Sequence, residues 1–235
     1  MYLSGGSITP ATFSANGVSF APLSYAEPAR SPIDGWHAQA KRLIDITIAL
    51  GGLALFALPM LVAALLIKLD SPGPVLFRQR RIGLGNQSFE MLKFRTMYHV
   101  ESRQMRLRQT ARHDPRVTRI GALLRRTSGD ELPQLLNVLR GEMSIVGPRP
   151  HAPGTCAGNT PFELVTPYYQ ARHRVRPGLT GLAQVRGWRG ETDTEAKLLH
   201  RLEADLEYIE HWSLWRDLAI VVRTFVSVLR MHNAY

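Results

Sequence analysis

Ile46-Thr47-Ile48-Ala49-Leu50-Gly51-Gly52-Leu53-Ala54-Leu55-Phe56-Ala57-Leu58-Pro59-Met60-Leu61-Val62-Ala63-Ala64-Leu65-Leu66-Ile67 is almost wholly apolar, with Thr47 its sole polar side chain. As a helix it would run about 33 Å, close to the roughly 30 Å hydrocarbon core of a bilayer. The segment therefore predicts membrane association. Pro59 lies past its middle, where it removes a helix hydrogen bond and crowds the carbonyl of Leu55, at a cost of about 3 kcal/mol. Two readings follow: a kinked spanning helix, which membranes tolerate, or a re-entrant hairpin broken at Pro59. Lys41 and Arg42 before the segment, and Lys68 and the Arg78–Arg81 cluster after it, favour both ends facing the cytoplasm.

Working outward, residues 1–38 are rich in Ser, Pro, Ala and Gly without periodicity and read as a flexible tail. They lack the basic n-region of a signal peptide. Residues 39–70 form the membrane-embedded helix, and 71–235 a cytosolic domain of ordinary single-core size. In that domain Pro74–Gln79 and Ser88–Phe94 read as two short strands around a Gly83, Gly85, Asn86 turn. Residues 101–112 read as a basic amphipathic helix. In the last third, Thr192 and Glu195 have capping-box spacing. Leu198, Leu199, Leu202, Leu206 and Ile209 then form an apolar stripe. Leu218–Leu229, preceded by Trp212 and Trp215, suits a membrane interface or ordinary core packing. The fold class expected is α+β and mainly helical, with a short β-hairpin and interfacial amphipathic helices.

The net charge of +10 is unevenly placed: Arg78–Arg126 holds thirteen Lys or Arg against Glu90, Glu101 and Asp114. Such a field attracts phosphate-rich partners. Nucleic acid is one candidate, but no recognition-helix or RNA-binding motif accompanies it, and it leaves the apolar segment unexplained. Cys156 is the only cysteine, which excludes an intrachain disulfide or a cysteine-based zinc site.

Ser128-Gly129-Asp130-Glu131-Leu132-Pro133 places two adjacent acids at the start of a helix whose apolar face is Leu132, Leu135, Leu136 and Leu139. In one reading the acids only cap that helix, Ser128 and Glu131 having capping-box spacing. In the other they do chemistry. An ionised Asp130 can attack phosphorus to give an acyl phosphate, Glu131 can hold Mg²⁺, and Arg149, Arg125 and Lys93 can clamp anionic oxygens. A non-catalytic membrane scaffold is the counterpart of the capping reading.

Several runs in this order resemble the bacterial sugar transferase family of small monotopic polyprenyl-phosphate phosphoglycosyl transferases. They are Lys41-Arg42-Leu43-Ile44-Asp45, Phe77-Arg78-Gln79, Lys93-Phe94-Arg95-Thr96-Met97, Asp130-Glu131-Leu132-Pro133-Gln134-Leu135-Leu136-Asn137, Met143-Ser144-Ile145-Val146-Gly147-Pro148-Arg149-Pro150 and Arg176-Pro177-Gly178-Leu179-Thr180-Gly181. The resemblance covers Lys41 to the C-terminus. It implies a nucleophilic Asp130 that takes a phosphosugar from a UDP-sugar and releases UMP, a Mg²⁺-binding Glu131 and a phosphate-binding Arg149. It also places Lys93, Arg125 and Asp205 at the site and makes Pro59 the break in a re-entrant helix. The acceptor implied is undecaprenyl phosphate, and the location is the cytoplasmic face of the bacterial inner membrane, among membrane lipids and without nucleic acid; homo-oligomerisation is left open. Two positions depart from the family pattern: Leu58 replaces a serine before the proline, and Gly129 replaces a leucine before Asp130. Gly187-Trp188-Arg189-Gly190-Glu191-Thr192-Asp193-Thr194 and the Tyr208–Leu218 run resemble the glucose phosphotransferases of exopolysaccharide synthesis. Glucose-1-phosphate is the sugar they imply first, and galactose-1-phosphate second.

Overall fold

The computed structural model describes residues 13–15, 18–20, 31–99 and 114–229. It divides into a unit of residues 1–30 and a unit of residues 31–235. Within the first, read above as a tail, strands β1 (Phe13–Ala15) and β2 (Val18–Phe20) pair antiparallel. The expected basic helix over 101–112 lies outside the described residues.

Helix α1 (Gly35–Asp70) carries the apolar segment and runs through Pro59 as one 36-residue element, so the helix break expected at Pro59 is not seen; proline is tolerated within a long apolar helix. Lys41, Asp45, Ala49, Ala63 and Ile67 are buried, an i, i+4 spacing that puts them on one stripe. Leu50, Leu55, Leu58, Leu61, Leu65 and Leu69 are exposed elsewhere on the helix. Lys41 and Arg42, read above only as cytoplasmic charge, are specific anchors. Lys41 Nζ donates to Asp217 Oδ2 at 2.6 Å and to the Val146 carbonyl at 3.1 Å. Arg42 donates to the carbonyls of Val138 (2.6 Å) and Leu139 (2.8 Å). Asp45 accepts from Ser144 Oγ at 3.0 Å and from the Ile145 N–H at 2.9 Å. At the other end Arg95 donates to the carbonyls of Ile67 (3.1 Å), Ser71 (2.6 Å) and Pro72 (2.6 Å), satisfying carbonyls that a helix C-terminus leaves open.

Strands β3 (Leu76–Ile82) and β4 (Ser88–Phe94) form an antiparallel hairpin in the register Leu76↔Phe94 to Ile82↔Ser88. The second strand has the expected bounds. The first is shifted from the expected Pro74–Gln79: it starts at Leu76, since Pro74 has no N–H for the ladder, and runs on because Arg80, Arg81 and Ile82 keep pairing through backbone groups. Gly85 and Asn86 turn the chain at φ 61° and 62°. Helix α2 (Arg119–Arg126) starts at Thr118, whose Oγ1 accepts from the Gly121 N–H at 3.0 Å. A 3₁₀ turn over Gly129–Glu131 precedes α3 (Gln134–Arg140), which ends at Gly141 in the left-handed conformation.

Strand β5 (Ser144–Val146) pairs parallel with β8 (Gly178–Thr180). The glycines after β5 and at the start of β8 permit this approach: a Cβ on Gly178 would lie 2.1 Å from the Gly147 nitrogen. Between them lie β6 (Cys156–Ala157) paired with β7 (Thr160–Pro161), the short α4 (Phe162–Val165) and a 3₁₀ segment, Tyr169–Arg174. Helix α5 (Leu182–Val185) follows β8. Helix α6 (Glu195–Glu210) buries Leu198, Leu199, Leu202, Leu206 and Ile209, the expected stripe. Its cap is Thr194, which accepts from the Lys197 N–H at 3.3 Å, rather than Thr192. Thr192 is buried and its hydroxyl is taken by Arg201. Helix α7 (Leu214–Leu229) buries Ile220 and exposes Trp215, Leu218, Val222, Phe225 and Val226.

Candidate active site

A cleft of about 1310 Å³ opens between α1, the β3–β4 hairpin, the Gly129–Glu131 turn and the loop after β5. Asp130, Glu131, Lys93, Arg125 and Arg149, five residues singled out in the sequence, all line it, as does Pro59. β4 delivers Lys93 to the cleft. The close β5–β8 approach sets the course of Gly147-Pro148-Arg149-Pro150.

The two acids differ sharply in their surroundings. Glu131 Oε1 accepts from Lys93 Nζ at 2.7 Å and from Arg149 Nη2, and Oε2 accepts from Arg149 Nη1 at 3.3 Å. Burial opposes its ionisation, but the charges and hydrogen bonds of Arg149 and Lys93 prevail and hold it well below the ordinary glutamate range. Asp130 is 9% exposed and makes no hydrogen bond or ion pair among the described residues. Burial raises its pKa above the ordinary aspartate value; Lys93 pulls it down, Glu131 pushes it up, and Arg125 and Arg149 pull it down. The capping arrangement is not formed. Ser128 is left-handed at φ 57° and makes no cap hydrogen bond, and helix α3 begins only at Gln134.

The basic side of the cleft extends beyond Lys93 and Arg149. Arg125 Nε donates to Thr96 Oγ1 at 2.8 Å. Arg201 donates to Thr192 and to the Gly190 carbonyl at 2.9 Å, and so holds the loop that carries Arg189. Arg189 lines the cleft, and its pKa is lowered by burial and by the Arg149 charge, with Glu131 opposing. His151 is kept neutral by burial and by Arg172, Arg201, Arg81 and Arg149. Asp205 is not among the residues lining the cleft. Its Oδ2 accepts from Arg172 Nη2 at 2.7 Å, and the same nitrogen donates to the Arg149 carbonyl at 2.7 Å. Asp205 thus bears on the cleft through Arg172 and the Arg149 backbone.

Arg172, Arg189 and Arg201 were not singled out as site residues in the sequence. Arg189 had a signal in the Gly187–Thr194 run, where Gly187 and Gly190 take φ 93° and 83°. Arg172 and Arg201 had none, since their partners Asp205 and Thr192 meet them only in the fold.

Among the described residues no three His, Cys, Asp or Glu side chains gather in a metal-binding group. Mg²⁺, however, commonly takes one or two carboxylates and completes its octahedron with waters and substrate phosphates. The lightly engaged Glu131 Oε2 fits that donor set.

Residues 36–231 match the model of the bacterial sugar transferase family. A UDP-glucose:undecaprenyl-phosphate glucose-1-phosphate transferase of Caulobacter vibrioides is 55% identical over 195 residues, covering 83% of this chain and 72% of its own length. An undecaprenyl-phosphate glucose phosphotransferase of Komagataeibacter xylinus is 50% identical over 216 residues, covering 92% of this chain and 41% of its own. A UDP-N-acetylgalactosamine-undecaprenyl-phosphate N-acetylgalactosaminephosphotransferase of Aeromonas hydrophila is 44% identical over 201 residues, covering 85% and 45%. The chain spans less than half the length of the last two.

Proposed function

The chain belongs to the bacterial sugar transferase family, and we propose that it transfers a sugar 1-phosphate, glucose 1-phosphate first, from a UDP-sugar to undecaprenyl phosphate with release of UMP. The observation that carries this is the unequal acid pair, a buried Asp130 that makes no hydrogen bond or ion pair among the described residues beside a Glu131 held by Lys93 and Arg149. A carboxylate that forms part of a structural ion pair is a poor nucleophile; an unpaired one facing a cationic cleft is a good one.

In the proposed first step an Asp130 oxygen attacks the phosphorus bearing the sugar. An Asp130 O–P bond forms, the bridging P–O bond of the diphosphate breaks, and UMP leaves with the electron pair. In the second step an oxygen of the polyprenyl phosphate attacks the same phosphorus. The acyl–phosphate bond breaks, the carboxylate is regenerated and the sugar leaves as a lipid diphosphate. Arg149, Arg189 and Arg125 hold anionic oxygens through both steps, and Lys93 keeps Glu131 ionised. Glu131 would hold Mg²⁺, which supplies neutralisation of the diphosphate oxygens.

The contacts of α1 support a monotopic attachment: the helix runs unbroken through Pro59, and both of its halves meet the same domain. Its first half meets the domain through Lys41, Arg42, Asp45 and Gly52, where a Cβ would lie 3.1 Å from Leu135. Its second half meets the domain again through Ala63 and Ile67, packed with Phe94. Between Gly52 and Ala63 the helix advances only about 16 Å, roughly half the hydrocarbon thickness. A helix tied to one domain at both ends leaves no free length to cross. The outward apolar face of α7 would rest in the same leaflet, with the cleft on the cytoplasmic face of the inner membrane. The service proposed is the first membrane step of exopolysaccharide synthesis.

The test is nucleotide release by purified protein from UDP-glucose with undecaprenyl phosphate and Mg²⁺, with UDP-galactose and UDP-N-acetylgalactosamine in parallel. Lipid-dependent UMP is the expected product. UDP would mean that the sugar moves without its phosphate and would overturn the proposal.

A further inference from the structure

The cleft has a neutral corner as well as a cationic one. Thr180, at the end of β8, and Gln184, in α5, line it and are 6% and 8% exposed; Thr224 of α7 lies beside Thr180. Counting their protons shows what the corner can accept. Thr224 Oγ1 lies 2.8 Å from the Ile220 carbonyl, to which it donates its one hydrogen. The 2.6 Å contact between the two hydroxyls must then use the hydrogen of Thr180. Thr180 Oγ1 keeps acceptor lone pairs and no hydrogen to give. Gln184 Nε2 donates to the Leu179 carbonyl at 3.3 Å, while its buried Oε1 has no hydrogen-bond partner. Thr180 and Gln184, both lining the cleft amid apolar Leu179, Ile145 and Val221, thus each carry an acceptor that no protein donor engages among the described residues.

Gln184 Nε2 keeps one further N–H, but the corner is uncharged and its open capacity is mainly acceptor, which suits O–H groups better than phosphate oxygens. A buried acceptor left without a donor is destabilising, so a hydroxyl that reaches it is favoured. The corner is tied to the phosphate-binding loop: Thr180 pairs with Val146, and its carbonyl accepts from the Gly147 N–H at 2.9 Å, two residues before Arg149. We infer that Gln184 and Thr180 form the subsite that accepts hydroxyl hydrogens from the donor's hexose, and that Gln184 thereby helps set which sugar is transferred. This rests on the UDP-sugar reading above.

The experiment compares unaltered protein with Gln184→Met, which keeps the length of the side chain and removes the acceptor. Substrates are UDP-glucose and analogues lacking one sugar hydroxyl each; inhibition by UMP, which has no sugar, is measured beside them. In unaltered protein one deoxy analogue should lose about tenfold in kcat/KM, a single hydrogen bond's worth. Gln184→Met should lose about tenfold on UDP-glucose, show no further loss on that analogue, and leave UMP inhibition unchanged. Gln184→Glu and Thr180→Val, with thermal melts, separate contact loss from misfolding: the first keeps an acceptor and the second removes the neighbouring one. Undiminished deoxy penalties in Gln184→Met, no loss on UDP-glucose, or a parallel weakening of UMP would overturn the inference, the last by assigning the corner to the nucleotide. If the unaltered protein releases no UMP from any UDP-sugar, the reading beneath it fails instead, and the inference falls with it.

Discussion

Asp130→Asn removes a charge that takes part in no hydrogen bond or ion pair among the described residues, so the fold should survive while the nucleophile is lost. UMP release should fall by about 10⁴-fold or more, with an unchanged melting temperature. The pH profile carries a sharper expectation. Asp130 must be ionised to attack, so kcat/KM should fall on the acid side as pH drops through its raised pKa. Lys93 lowers that pKa and Glu131 raises it. Lys93→Met should therefore move the acid limb to higher pH and Glu131→Gln should move it to lower pH. A shift of both limbs in the same direction would mean that the limb belongs to another group. At this scale the sequence made the five cleft residues legible, because they sit in ordered motifs. The resemblance gave the two acids different roles, but the sequence could not show that Lys93 and Arg149 engage Glu131 and leave Asp130 without a hydrogen bond among the described residues.

Elements are held by pairs whose worth depends on burial. The Lys41–Asp217 pair joins α1 to α7 with both side chains about nine-tenths buried, at 10% and 11% exposure. Lys41→Met leaves Asp217 without its cation, and the expected loss is about 3–5 kcal/mol, read as a marked drop in melting temperature in detergent. The Arg78–Glu90 pair on the β3–β4 hairpin is 66% and 56% exposed at 3.8 Å. Arg78→Ala should leave the melting temperature unchanged within error, since exposed pairs contribute little. A comparable drop for both variants would contradict the assignment of Lys41 as an anchor. An unbroken apolar run made α1 legible, a glycine turn marked β4, and periodicity gave the stripe of α6. The start of α6 was not: Thr192 and Thr194 compete for one cap, and Arg201, nine residues on, decides by taking Thr192. Lys41 and Arg42 likewise looked like membrane-flanking charge because their partners, Asp217 and the α3 carbonyls, are distant in sequence.

For the whole molecule, α1 is tied to the domain at both ends, and this makes topology testable. In a Cys156→Ala background, Asp34→Cys places a thiol just before α1, at a residue whose side chain makes no cap hydrogen bond. In spheroplasts the re-entrant reading expects no labelling by a membrane-impermeant maleimide until the membrane is permeabilised. Ready labelling of intact spheroplasts would mean that α1 crosses. The apolar run and its proline made membrane attachment legible, but hydropathy cannot report that Gly52 and Ala63 both face one domain.

The most direct test of the central claim is the covalent step itself. Protein is incubated with UDP-glucose and Mg²⁺ in the absence of polyprenyl phosphate, quenched in acid, and mapped by peptide mass spectrometry. The account predicts one hexose phosphate on the peptide carrying Asp130, UMP in equal amount, loss of the adduct when undecaprenyl phosphate is added, and no adduct in Asp130→Asn. Lipid-dependent UMP release with Asp130 unmodified under every quench, or an adduct that persists in Asp130→Asn, would contradict it.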